Sequence, residues 1–163
     1  MEGELLLKTG ELAIGEGQDV LCTRGVGSCI VTCLWDRKRV LGGMAHIPRP
    51  AASEEDAAGR EWSAVSPEMA IPRLLRMMRE RGARRDRISV RIAGGGNMFP
   101  VQDCYFMCDI GKEILENTRS VVSDLGLWIA GESVGGPYGR SVFFDVAAGT
   151  VQVFFTNGDM IEL

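Results

Sequence analysis

The apolar positions of this chain fall mostly in short runs broken by glycine, and only twice at helical spacing. Residues 11–14 and 19–23 read as short strands around a turn at 15–17. Residues 24–28, with Gly25 and Gly27, read as a tight glycine loop. Residues 29–35 are rich in β-branched and apolar side chains and predict a buried strand. Residues 36–39 form a polar turn, and 40–47 supply the returning strand. Ile88, Val90 and Ile92 alternate as another strand, ahead of Gly94-Gly95-Gly96-Asn97. Residues 127–134 predict a further strand. Residues 141–146 and 150–155 predict a hairpin turning at Ala147-Ala148-Gly149.

Two helices complete the pattern. Ser66-Pro67 is a helix start, with serine at the cap and proline at the first position. Ile71, Leu74, Leu75 and Met78 then give one apolar stripe, which Gly82 ends. Pro72 removes an interior hydrogen bond, so this helix either kinks or begins near it. Asp109 is positioned to cap the second helix, whose face is Ile114, Thr118, Val121, Val122 and Leu125, with Gly126 at its end. The expected fold is α/β (α+β): one domain over residues 1–163, a layered sandwich with a mixed, largely antiparallel sheet and two main helices. Residues 48–65, with an acidic Glu54-Glu55-Asp56 run, form the one long irregular segment. A loop of that length suits a flexible lid following His46.

Composition narrows the function. The 163 residues are 45% hydrophobic and 25% charged, with net charge −4, which suits one folded domain without general affinity for nucleic acid. Nothing approaches the ~20 apolar residues of a membrane span, so membrane insertion is not expected. The N-terminus carries acids where an export signal carries bases, so a cytoplasmic location is expected. The five cysteines, at 22, 29, 33, 104 and 108, include no C-x-x-C pair, and His46 is the single histidine. Neither a disulfide framework nor a metal site is expected. Eight arginines between 73 and 91 form a basic run. It reads first as a solvated helix face, and otherwise as a dock for an acidic protein.

The candidate chemistry lies in the first hairpin. A loop of two residues (37–38) or four (36–39) would set Cys29 directly across from His46, with Cβ atoms ~4.5–5.5 Å apart. An odd loop would put them on opposite faces. A cysteine beside an imidazole is a nucleophile with its base. An imidazolium there would lower the thiol pKa, and the imidazole would protonate a leaving amine. Gly27 and Ser28 offer backbone N–H groups to an oxyanion, and Thr23 is placed to orient His46. The ordinary reading of a cysteine in an apolar strand is a small buried hydrophobe, and Cys22, Cys33, Cys104 and Cys108 take that reading.

At Gly25-Val26-Gly27-Ser28-Cys29, followed by Gly42-Gly43-Met44-Ala45-His46, the sequence resembles the CheD family, the chemoreceptor glutamine deamidases of bacterial and archaeal chemotaxis. The likeness continues through Ile71-Pro72-Arg73, Gly94-Gly95-Gly96-Asn97-Met98-Phe99, Gly139-Arg140 and Phe143-Phe144-Asp145, covering roughly residues 8 to 155. The stretch 109–117 is longer than its family counterpart, and the tail 156–163 is extended. The resemblance implies a protein-glutamine glutaminase with Cys29 as nucleophile, His46 as its partner and Thr23 completing the site. Its substrate would be glutamine side chains of methyl-accepting chemotaxis receptors, with no cofactor needed. It also implies binding to a CheC-type phosphatase. A non-catalytic regulator docked on that phosphatase, or a receptor methylesterase-like activity, is the alternative.

Overall fold

The computed structural model describes residues 3–57, 63–97 and 109–163. Cys104, Cys108, Met98 and Phe99 lie outside the described residues. The strands are β1 (Glu4–Leu7), β2 (Leu12–Glu16), β3 (Val20–Val26), β4 (Ile30–Asp36), β5 (Leu41–Ile47), β6 (Ile88–Gly94), β7 (Trp128–Val134), β8 (Arg140–Asp145), β9 (Thr150–Phe155) and β10 (Met160–Glu162). The helices are α1 (Glu54–Ala57), α2 (Pro67–Glu80) and α3 (Ile110–Asp124). The strands divide into two sheets, ordered β1-β3-β8-β9-β10 and β2-β5-β4-β6-β7. Among the described residues only β1–β3 and β6–β7 pair in parallel. The expected α+β class, with its mixed and mainly antiparallel pairing, therefore holds, spread over two sheets.

The burial pattern explains the layering. All seven positions of β5, and all of β4 except Trp35, are buried. A strand that reads as continuously buried is covered on both faces. One face of the second sheet packs Leu34, Ala45 and Ile47 against Ile71, Leu74 and Met78 of α2 and Ile114 of α3. The other packs Val31, Cys33 and Met44 against Leu21, Val142, Phe144 and Val153 of the first sheet. Gly42 and Gly43 permit this double approach. A Cβ on Gly42 would come 2.6 Å from the Phe144 ring, and one on Gly43 2.9 Å from Leu74. No described helix is long and apolar enough to cross a membrane.

The β4–β5 register departs from the expected one. Asp36 pairs with Leu41, so residues 37–40 make the turn, and His46 lies opposite Val31 rather than Cys29. The reason is Asp36, which reads as a turn residue but is fully buried. Its carboxylate accepts from the Lys38, Arg39 and Arg84 N–H groups and from the Arg87 guanidinium, Nη2–Oδ2 2.9 Å. Burial works to raise its pKa, but these donors outweigh it and hold the carboxyl below the usual carboxylate range. The four-residue turn is therefore 37–40 rather than 36–39, and the pairing slides by two residues.

Other expectations meet local corrections. Residues 24 and 25 belong to β3, where the ladder is irregular between Thr23 and Val26, so the glycine loop shortens to 27–29. Asp109 adopts the left-handed conformation at φ 69° and makes no side-chain cap. Ser66 does cap α2, accepting from the Met69 N–H, and the helix runs continuously through Pro72. Within the long segment after His46, the described residues include α1 and the bonds Arg49 N–H to Val65 O and Ala64 N–H to Gly10 O. The apolar pattern predicts neither β1 nor β10. Both are short edge strands with little periodicity to detect.

Candidate functional site

Cys29 stands immediately before β4, at the end of the bend formed by Gly27 and Ser28. Its two-residue offset from Val31 keeps it on the face that His46 shares, so the two are diagonal rather than direct neighbours. That face is the layer between the sheets, where half-buried Cys29 packs against the second apolar cluster. The corrected register moves by two residues, and a shift of two preserves the face. Cys29 and His46 thus share the expected face in a longer arrangement than expected, and no direct hydrogen bond joins them.

Thr23 comes from the other sheet. It is fully buried in β3, paired with Leu7 of β1, and its Oγ1 lies 2.7 Å from His46 Nδ1. The same hydroxyl donates to the Leu7 carbonyl at 2.9 Å. A threonine hydroxyl carries one proton, so with that proton on Leu7 O it can only accept from Nδ1–H. This fixes the tautomer: Nδ1 is protonated and Nε2 carries the lone pair. Nε2 is buried and has no hydrogen-bond partner among the described residues. An unpaired buried acceptor costs free energy unless something arrives to use it.

Burial also sets the charge states. It pushes the His46 pKa down to about 4, so the ring is neutral over the physiological range. Burial pushes the Cys29 thiol up, with a smaller opposing contribution from its own backbone N–H. This corrects the expectation of an imidazolium-stabilised thiolate: the resting pair is a neutral thiol and a neutral imidazole, because the inter-sheet layer disfavours charge on both.

Arg140 and the glycine run after Ala93 complete the surroundings of Cys29. The Gly95 N–H donates to Cys29 O at 2.8 Å, and the Gly96 N–H to Gly27 O at 2.9 Å. Gly94, at φ 112°, passes so close that a Cβ there would lie 2.2 Å from Cys29 O. The glycine run therefore backs the cysteine bend by main-chain contact, which any side chain on Gly94 would obstruct. Behind it, buried Arg140 reaches the carbonyls of Ser133, Gly135 and Tyr138. The Gly-Gly-Gly-Asn run was the available signal for the first contact. Nothing in the spacing of Arg140 pointed to the second.

Comparison with known proteins bears on this constellation. A family model described as CheD chemotactic sensory transduction matches residues 49–154, which include the glycine run and Arg140. A Methanococcus vannielii protein named "Probable chemoreceptor glutamine deamidase CheD" is 33% identical over 149 residues, 91% of this chain and 93% of its own. Proteins of the same name from Methanococcus maripaludis and Clostridium botulinum are 33% and 29% identical over 91% and 92% of this chain, and 93% and 91% of their own. The crystal structure of the Bacillus licheniformis hypothetical protein YfiH aligns with TM-score 0.47 at 16% identity, over 78% of this chain and 51% of that one, too distant to carry an argument. Matched by the family model over more than half its length, and by relatives across nine-tenths of it, this chain belongs to the CheD family.

Proposed function

We propose that this protein is a protein-glutamine deamidase acting on methyl-accepting chemoreceptors, with Cys29 as nucleophile, His46 as general base and acid, and Thr23 as the group that fixes the imidazole. One observation carries the reading. The Thr23–His46 hydrogen bond has its polarity set by Leu7 O, leaving on the face that Cys29 shares a buried Nε2 with no partner among the described residues. The names of the relatives agree with the substrate class.

The chemistry follows from the charge states. A glutamine carboxamide enters beside Cys29. The Sγ–C bond forms as the thiol proton passes to Nε2, so no free thiolate is required. N–H groups of the Gly27-Ser28 bend receive the developing oxyanion. The tetrahedral intermediate expels its amine, which takes the proton from Nε2 and leaves as ammonia. Water, deprotonated by Nε2, then adds to the thioester and releases glutamate, and the thiol regains its proton. The imidazolium exists only transiently, and the Thr23 oxygen accepts from Nδ1–H throughout.

Binding to a CheC-type phosphatase belongs to the same proposal, on the strength of the family resemblance. The test is incubation with a receptor cytoplasmic fragment, following ammonia release and amide-to-acid conversion peptide by peptide, with Cys29→Ala alongside. Conversion by wild type and none by the variant supports the deamidase. No conversion by folded wild type on a cognate receptor refutes it and favours the phosphatase-docking regulator. Turnover of methyl-glutamyl sites alone favours the methylesterase.

A further inference from the structure

We infer that Arg140 is a positioning residue for Cys29, an inference that rests on the proposed Cys29–His46 pair. Arg140 is 2% exposed, yet it has no carboxylate partner among the described residues. Its guanidinium instead donates to three main-chain carbonyls: Ser133 O at 2.9 Å from Nη1, and Gly135 O and Tyr138 O from Nη2, the last at 3.1 Å. One face stacks on Phe155, 4.8 Å from the ring centroid. Burying a cation without a counter-charge is costly, and a packing role alone is better filled by an apolar side chain. The planar fork holds several carbonyls in fixed directions, which a lysine cannot do.

Those carbonyls belong to the end of β7 and the turn before β8, which support the nucleophile at one remove. The Gly135 N–H donates to Gly94 O at 3.0 Å, and the Asn97 N–H to Gly136 O at 2.8 Å. The same glycine run holds Cys29 O and Gly27 O from its other side. Arg140 also pairs across the ladder with Val26, which leads into the Gly27-Ser28 bend. The guanidinium therefore braces both approaches to Cys29 through main-chain carbonyls. Because Cys29 and His46 make no direct hydrogen bond, their proton transfer depends on where that bend is held, and a misplacement of about 1 Å can cost ~10²-fold in rate.

The experiment is alkylation of Cys29 by iodoacetamide, mapped to its peptide, in wild type, His46→Ala, Arg140→Lys and the double variant. No receptor is needed. Folding is checked by circular dichroism and thermal melting. The expected result is that His46→Ala slows Cys29 alkylation roughly tenfold when Arg140 is present and less than about twofold in Arg140→Lys, since the base no longer reaches a displaced thiol. In receptor assays Arg140→Lys should lower kcat with KM little changed. Equal His46 effects in both backgrounds overturn the proposal. No His46 effect even with Arg140 intact overturns the underlying pair, and this inference with it. Should Arg140→Lys not fold, Gly96→Ala replaces it. A Cβ there would sit 3.1 Å from Tyr138 O and 3.2 Å from Arg140 Nη2, pressing on the same brace. It should weaken the His46 dependence in the same direction, and an unchanged dependence in folded Gly96→Ala overturns the proposal.

Discussion

Between about pH 6.5 and pH 4 the unfolded chain binds a proton at His46 that the folded chain refuses. The ring is fully buried, its Nδ1–H is already given to Thr23, and Nε2 has no hydrogen-bond partner among the described residues. The sign follows from proton counting. Unfolding takes up a proton in this window, so the folded state loses stability as pH falls through 6.5, and the loss levels off below about 4. A pKa displaced from 6.5 to about 4 corresponds to roughly 3 kcal/mol over the whole window, about 1.4 kcal/mol per pH unit. That is a large share of the ~5–15 kcal/mol that holds a domain together. His46 is the single histidine, and Asp36, held low by Arg87, contributes only at lower pH. The assay is urea unfolding at intervals from pH 7.5 to about pH 4.5, in wild type and His46→Gln. Wild type should lose stability steeply toward acid, and the variant should lack that component. A flat wild-type profile, or parallel slopes in the two proteins, would refute the reasoning.

Three further outcomes are expected. Thr23→Val leaves Nδ1–H and Leu7 O unpaired in the core, which should cost about 1–3 kcal/mol in urea unfolding and sharply lower the rate of receptor deamidation, with Thr23→Ser retaining most of both. Gly94→Ala should reduce deamidation by roughly 10²-fold while the protein remains folded by circular dichroism, because the new Cβ must displace the Cys29 carbonyl. Asp36→Ala removes the counter-charge of Arg87 and the acceptor of three backbone N–H groups. It should lower the urea midpoint by an amount corresponding to about 2–4 kcal/mol, below the full cost of breaking a buried pair because Arg87 is partly exposed.

Local chemistry was legible wherever neighbours in sequence decide it. Ser66 caps α2, Gly82 and Gly126 follow the helix ends with positive φ, and the hairpin β8–β9 turns where Gly149 allows it. The alternation in β8 and β9 and the unbroken apolar character of β4 and β5 likewise reflect how many faces each strand buries. Thr23, Cys29 and His46 could be singled out because residue type, glycine spacing and hairpin parity all bear on them.

What remained hidden depends on groups far apart in the chain. The β4–β5 register turns on Arg87 reaching Asp36 across 51 positions, so a polar residue that reads as a turn is buried in the ladder. The division into two sheets rests on pairings between strands far apart in the chain, β3 with β8 in one and β4 with β6 in the other. The charge states of Cys29 and His46 come from the layer that closes over them, and burial reverses the sign expected from proximity alone. The bracing of Cys29 by Gly94, Gly95 and Arg140 is built from main-chain hydrogen bonds, which residue types do not encode. The sequence by itself determined which side chains are available for chemistry and which face each strand presents. Only the tertiary structure decided their register, protonation and support, because each arises from contacts between segments that the chain brings together on folding.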